Sequence, residues 1–471
     1  PEVSYRACQL LQAEAAVDGI MVGEGEETFA QVIEAYEHGM PLEGIPGTVV
    51  RAGDQIIEGG MRPVLSMDRI PFVYGDLSGY ENRIIYYESS RGCPFSCSYC
   101  LSSIDKSVRF RSLDLVRREL DFFLEHQVPQ VKFVDRTFNC KKNHSMAVWQ
   151  HILEHDNGIT NFHFEISADL LDEEELELLG KMRPGLVQLE IGVQSTNPKT
   201  VKEIRRVMDL EKLKQAVHRV NGYHNIHQHL DLIAGLPYED YDSFGRSFDE
   251  VYAMEPEQLQ LGFLKVLSGS YMASMAADYK VLYRGEPPYE VLSTSWLPFE
   301  DVVRLKSVEE MVEVYYNSGQ YQNTLKALER EFPGPFSMFE ALAEYYEQRD
   351  LFGISHNRLK KYEILYEFVA ERFPQKIKGF TDLLIFDLYL RENVKSRPVF
   401  APDSGQYKEE IKEFFIKEAR DFQYLKGYEA YDSRQISKMA HVEVLSDGTF
   451  WLFDYRNRDP LNHNATVFRI R

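Results

Sequence analysis

The sequence predicts an α/β protein. Its centre is a curled parallel sheet of six βα units, preceded by the remnant of a doubly wound α/β domain. A mainly helical domain follows and ends in a small β hairpin or sheet. Three observations carry this. From Ile84 to about residue 270, short apolar strands alternate with amphipathic helices; that rhythm makes a parallel sheet, and right-handed crossovers curl it. After about residue 300, apolar residues recur at helical spacing. Near the C-terminus, Asp447-Gly448 sits between two alternating apolar runs, a hairpin signal.

In chain order, residues 1–40 read as the end of a strand, a helix, the short strand Gly19–Val22 and a second helix, the last part of a doubly wound domain. Residues 41–83 are rich in Gly and Pro and read as a linker with short strands. Residues 84–275 hold the βα units. Strands are expected at Ile84–Glu88, Gln130–Val134, Asn161–Ser167, Leu186–Val193, Asn225–Ile233 and Gln258–Val266. Helices are expected at Ser112–His126, Lys142–His155, Asp172–Lys181, Asn197–Arg206, Leu210–Asn221 and Asp240–Met254. Residues 276–471 carry five long helices between Phe299 and Glu392, then strands at Ala440–Leu445, Thr449–Tyr455 and Thr466–Ile470.

Composition narrows the function. A chain of 471 residues, 44% hydrophobic, is long enough for two or three domains. It has no 18-residue apolar run, so no membrane span is expected. A net charge of −21 argues against a broad nucleic-acid or membrane surface. Few cysteines and no signal peptide point to a reducing cytoplasm.

Three of the five cysteines, Cys93, Cys97 and Cys100, stand in RGCPFSCSYC, a CxxxCxxC spacing. Fe–S clusters are normally held by four thiolates. Three on one loop leave one iron of a 4Fe–4S cluster open to another ligand, which suggests chemistry rather than plain electron transfer. Structural zinc wants four ligands, and no second CxxC or HxxxH pair is read after this loop to complete such a site.

This loop, at the end of an apolar strand and with Tyr99 before its last cysteine, resembles the radical S-adenosylmethionine (SAM) superfamily. The resemblance implies a partial (β/α)6 barrel over residues 84–270. It implies a 4Fe–4S cluster on Cys93, Cys97 and Cys100, with SAM chelating the free iron and being cleaved to a 5′-deoxyadenosyl radical. Tyr99 then lies by the adenine. Asp135, in FVDRTFN, matches the first aspartate of a familiar strand-2 pattern, and Arg136 replaces the second. Asp135 would accept from the SAM ammonium or from substrate, or else cap the next helix. Glu165 matches a carboxylate that accepts from the SAM ribose. In LVQLEIGVQS, strand alternation puts Glu190, Gly192 and Gln194 on one face, where a small Gly leaves room for a cofactor. Gln194 matches a ribose contact, Arg206 an Arg on the SAM carboxylate, and Ile233 an apolar contact to adenine. The run GEGEETF, Gly23–Phe29, is similar to a segment of the cobalamin-associated subgroup, and the C-terminal part to the uncharacterised domain often appended there. The cobalt-ligating loop of that subgroup is absent from residues 1–92, so cobalamin is expected to be a cofactor of a full-length protein rather than of this chain.

The resemblance thus implies an enzyme that abstracts hydrogen from an unidentified small-molecule or peptide substrate, with cobalamin-dependent methylation the commonest outcome in the group. An electron donor such as flavodoxin or ferredoxin is implied as partner. A cobalamin-associated cyclase or rearrangement enzyme and a non-catalytic Fe–S electron carrier are the rivals. A carrier has no need of Glu165, Gln194 and Arg206. Cys140 reads as a free core cysteine, Cys8 as buried, Asp231 as closing a hydrogen-bond network, and His224, His227 and His229 as surface or barrel-end residues.

Overall fold

The structure is a computed structural model and describes residues 2–104 and 106–471. The chain opens with helix α1 (Ala7–Ala13), strand β1 (Gly19–Met21) and helix α2 (Glu26–His38). Strands β2 (Thr48–Ala52) and β3 (Gln55–Glu58) follow. The helix–strand–helix order is the expected one, with a 3-10 turn at Ser4–Arg6 in place of the first strand. β1 pairs antiparallel with β2, and β2 with β3. α2 leaves Phe29, Ile33, Tyr36 and the following Met40 exposed on one side.

The barrel strands are β4 (Ile85–Tyr87), β7 (Gln130–Phe133), β8 (Asn161–Ile166), β9 (Val187–Gln194), β10 (His227–Ala234) and β11 (Gln258–Phe263). A two-stranded ribbon, β5 (Ser90–Arg91) with β6 (Arg109–Phe110), brackets the cysteine loop. The helices are α3 (Leu113–Glu125), α4 (Lys142–Glu154), α5 (Glu173–Leu179), α6 (Pro198–Glu203), α7 (Leu210–Asn221) and α8 (Tyr241–Tyr252). All six strands form one parallel sheet in the order β4-β7-β8-β9-β10-β11. Three of the barrel helices, α5, α7 and α8, start on a capping aspartate: Asp172 accepts from Glu175 N at 3.1 Å, Asp209 from Lys212 N at 3.2 Å and Asp240 from Ser243 N at 2.8 Å. Such caps satisfy amide groups that the first helical turn leaves orphaned.

Parallel strands usually read as continuous apolar runs, because both faces are covered. Here burial alternates residue by residue in β9 and β10. Leu189, Ile191, Leu230, Leu232 and their neighbours point outward and are buried under the helices. Each such side chain contributes about 1.5–3 kcal/mol. The other face, turned into the barrel, is polar and half-buried, and that unfilled face is where the site lies.

Helix α9 (Tyr271–Met275) and the ribbon β12 (Leu282–Tyr283) with β13 (Val291–Ser293) lead to α10 (Phe299–Met311), which continues as a π-helical turn over Val312–Asn317. There Asn317 covers the edge of β11: its amide accepts from Leu259 N at 2.9 Å and donates to Leu259 O at 3.0 Å. That covers part of a sheet edge. Helices α11 (Gln322–Leu328), α12 (Pro335–Gln348), α13 (Arg358–Arg372) and α14 (Ile377–Arg391) share one continuous hydrophobic core with the barrel. Helices α15 (Lys408–Asp421) and α16 (Ser433–Met439) pack on the terminal sheet, β14 (Ala440–Val444), β15 (Phe450–Arg458) and β16 (Ala465–Arg469), around a smaller core. No helix among the described residues is long and apolar enough to cross a membrane.

Candidate active site at the mouth of the barrel

The cysteine loop is set by its neighbours. Gly92 has φ +100°, and a Cβ there would lie 2.7 Å from Ser107 O, so the turn into Cys93 requires glycine. Ser98 N donates to Ile204 O at 2.8 Å, and Met272 N donates to Ser98 O at 2.8 Å. The loop is thereby pinned between the end of α6 and α9. Cys93 and Cys97 are buried and Cys100 is half-buried. Cys93 Sγ lies 3.6 Å from Thr137 Oγ1, just past β7. Among the described residues the three thiols do not converge within 4.8 Å as a group. A single zinc ion with bonds near 2.3 Å holds its sulfurs closer than that.

Arg206 joins the loop to the sheet. Its Nη1 is 3.9 Å from Cys97 Sγ, and its Nη2 donates to Gly192 O. Burial pushes the Cys97 thiol up, and the Arg206 charge opposes that shift. Tyr99 sits with Cys97 and Arg206, and its hydroxyl is held above its usual range by burial. Gln194 ends β9 at a bulge: Gly192 pairs with Asp231, but Leu232 pairs with Gln194. Gln194 takes φ +71°, the left-handed region that non-glycine residues seldom enter. Its side chain folds back over Gly192, where a Cβ would meet Gln194 Nε2 at 2.2 Å. The room expected at Gly192 is therefore filled by the Gln194 amide.

On the same inner face Glu165 makes no hydrogen bond among the described residues. Burial, then the nearby Glu190 charge, lifts its carboxyl to about 7. Ile233 is half-buried on this face, in register with Gly262.

Two expected ligand contacts are corrected. Asp135 is fully buried, and its oxygens accept from Ser89 N at 2.9 Å, Ser89 Oγ at 2.7 Å and Ser90 Oγ at 2.5 Å. It anchors the strand that enters the cysteine loop and has no open face for a ligand. It is not a helix cap either, since the residue capping α4 is Lys141. Glu190 is taken up inside the barrel: Oε2 lies 2.8 Å from Lys132 Nζ and 3.0 Å from His163 Nε2. His163 first, then Lys132, holds it down at about 2. Arg136 stands exposed at the mouth.

His224 is exposed, as the surface reading expects, whereas His227 and His229 depart from it. His227 and His229 lie on the inner face of β10, not on the outer surface. Their ring centroids are 4.7 Å apart, and His229 lies 5.6 Å from His163. Burial lowers them to about 4 and about 3, so both are neutral at pH 7. Asp231 closes no network: Oδ1 is buried without a partner, and burial, then the Glu190 and Glu165 charges, lifts its carboxyl. The sequence signal was its inward register beside Gly192. Cys8 is half-buried, with its thiol 3.2 Å from Glu58 Oε1.

Gln194 Oε1, Arg206 Nε and Asp231 Oδ1 are all buried without hydrogen-bond partners. Native proteins leave few such groups. Three of them around one cysteine loop form a polar cradle suited to a charged, hydroxyl-rich ligand.

Comparison with known proteins agrees with this geometry. Residues 87–251 match the Radical SAM superfamily, and residues 277–459 match a protein family of unknown function (DUF4080). An uncharacterized methyltransferase of Pyrococcus horikoshii is 25% identical over 271 residues, 54% of this chain and 56% of that protein. The anaerobic magnesium-protoporphyrin IX monomethyl ester cyclase of Synechocystis is 23% identical over 313 residues, 63% of this chain and 61% of that protein. The chain thus spans just over half the length of these curated relatives. The radical SAM methyltransferase TsrM of Kitasatospora setae, solved with cobalamin and a [4Fe-4S] cluster bound, shares the fold with TM-score 0.52 at 13% identity, over 82% of this chain and 79% of that one. Residues 87–251 are a domain of the radical SAM superfamily.

Proposed function

We propose that this chain is the core of a radical SAM enzyme, in which Cys93, Cys97 and Cys100 hold a 4Fe–4S cluster and the cradle beside them holds SAM. When bound, the cluster supplies the electron that cleaves SAM to a 5′-deoxyadenosyl radical, and cobalamin supplies a methyl carrier. The residues present fit the cluster and SAM. The Arg206 guanidinium, whose Nε has no partner, offers a fork to the SAM carboxylate. Gln194 Oε1 and the free Glu165 carboxyl accept the ribose hydroxyls. Tyr99 and Ile233 supply apolar surface for the adenine. Asp135 and Gly92 set the path of the cysteine loop. The carrying observation is the convergence of the unpartnered Gln194 Oε1 and Arg206 Nε beside Cys97. An electron carrier would have no reason to leave them open.

Methylation with cobalamin is the outcome we propose for the whole protein, supported by the methyltransferases among its relatives. The cyclase relative favours a second outcome, ring closure, which product analysis separates from methylation. The cluster assignment is tested by iron and sulfide content after anaerobic reconstitution. Cys97→Ala should lose the cluster, and Cys140→Ala should keep it. Equal iron loss in both variants would sink the three-ligand assignment.

A further inference from the structure

Helices α3 and α4 lie on the helical side of the sheet, outside the barrel. Between them, Asp121, His151 and His155 each bring one ligand atom to within 4.8 Å of the others. His151 and His155 are one turn apart, so they share a face of α4 and its C-terminal cap. The His151 ring is buried, and its Nε2 is 2.7 Å from Asp121 Oδ1. The exposed His155 ring stacks on it, with centroids 4.2 Å apart at 27°. His155 Nδ1 lies 2.9 Å from His151 O. A carbonyl only accepts, so Nδ1 carries the hydrogen and Nε2 keeps its lone pair. Fixing the tautomer through the second nitrogen is how proteins orient an imidazole ligand.

We propose that Asp121, His151 and His155 form a binding site for a divalent cation of the zinc class, which ties α3 to α4. Two imidazole nitrogens and one carboxylate oxygen suit zinc, with water in the fourth place. The alternative is a plain His151–Asp121 ion pair with His155 idle. That pair needs neither the convergence of His155 nor its fixed tautomer. The sequence signal is the HxxxH spacing of HILEH, residues 151–155, which corrects the reading that no HxxxH pair follows the cysteine loop.

The test uses the cluster-loaded chain, because an empty cysteine loop also takes zinc. Wild type, His155→Ala and Asp121→Asn are incubated anaerobically with zinc sulfate and desalted. Zinc is measured by mass spectrometry, and affinity by competition with a chromogenic chelator. Wild type should retain one zinc per chain. His155→Ala and Asp121→Asn should bind at least about tenfold more weakly, and their helix content should be unchanged. Added zinc should raise the thermal midpoint of wild type and leave that of His155→Ala unmoved. If Asp121→Asn fails to fold, His155→Ala alone decides. Wild type that emerges without zinc, or His155→Ala that holds zinc as tightly, overturns the proposal.

Discussion

Asp135 sets two effects against each other, and two substitutions separate them. Its carboxyl accepts three hydrogen bonds that start the cysteine loop. Hydrogen bonds to a charged acceptor are worth about 1.5–3 kcal/mol each. These three share two oxygens, so Asp135→Ala should cost about 3–5 kcal/mol rather than the full sum. Burial works the other way: it lifts the carboxyl from 3.8 to about 6 despite those bonds. The adjoining His144 supplies no charge to offset it, since burial lowers that imidazole to about 4. A carboxyl raised in the folded state opposes folding once ionised. The penalty is absent below the unfolded value of 3.8, grows as pH rises and is complete above about 6. Two units correspond to about 3 kcal/mol, of which about half is present at pH 5. Asn mimics the protonated acid: it keeps one acceptor, and its amide can donate to a serine hydroxyl. Relative to Asp135→Asn, wild type should therefore lose about 1–2 kcal/mol between pH 5 and pH 7.5. That is several degrees of midpoint, at about 2–4 °C per kcal/mol for a domain of 150–250 residues. Thermal unfolding of both proteins at matched pH, followed by circular dichroism, reads the difference. If Asp135→Asn is as unstable as Asp135→Ala at every pH, the ionised carboxylate stabilises the fold and the burial argument is wrong.

Other expectations concern the cradle. Arg206→Ala should weaken SAM binding by about 1.5–3 kcal/mol, roughly 10- to 150-fold, with iron content unchanged; calorimetric titration of the reconstituted chain would show it, and unchanged affinity would place SAM elsewhere. Gly192→Ala puts a Cβ 2.2 Å from Gln194 Nε2, so Gln194 must swing into the cradle; SAM affinity should fall by about 10-fold, the loss of roughly one good hydrogen bond, while secondary structure stays intact. Glu165 sits at about 7, and its carboxylate form accepts the ribose hydroxyls best, so SAM affinity should rise as pH climbs through 7. Glu165→Gln should flatten that rise, and a pH profile unchanged by the substitution would remove Glu165 from the site.

Much of this was legible in the sequence because strand period and helix period are both imposed by burial. The outward residues of β9, Val187, Leu189, Ile191 and Val193, write their alternation directly into LVQLEIGVQ. The helix α7 matches its expected bounds, because Asp209 caps it where the apolar period begins. The inner face was harder to read. A polar residue that faces a half-filled barrel looks like one that faces water, which is why His227 and His229 read as surface or barrel-end residues rather than as lining its interior. Tertiary placement decided Asp135 and Glu190: nothing local says that Ser89 and Ser90, or Lys132 and His163, will take their oxygens. The bulge that turns Gln194 back over Gly192 has no sequence mark beyond the glycine itself. The ribbon of β5 and β6 is two residues long on each side, too short for a period to register. Helix α15 carries a readable period in Ile411, Phe414 and Phe415 but follows a proline-rich stretch, and it went unassigned.

In the proposed function Cys93, Cys97, Cys100 and the cradle of Glu165, Gln194 and Arg206 act together on SAM. The most direct measurement is formation of 5′-deoxyadenosine by the anaerobically reconstituted chain, given SAM and dithionite and analysed by liquid chromatography with mass detection. Wild type should release 5′-deoxyadenosine and methionine in equal amounts, slowly and without added substrate, and Cys97→Ala should release neither. A wild-type chain carrying its full complement of iron and sulfide, yet producing no 5′-deoxyadenosine, would contradict the account.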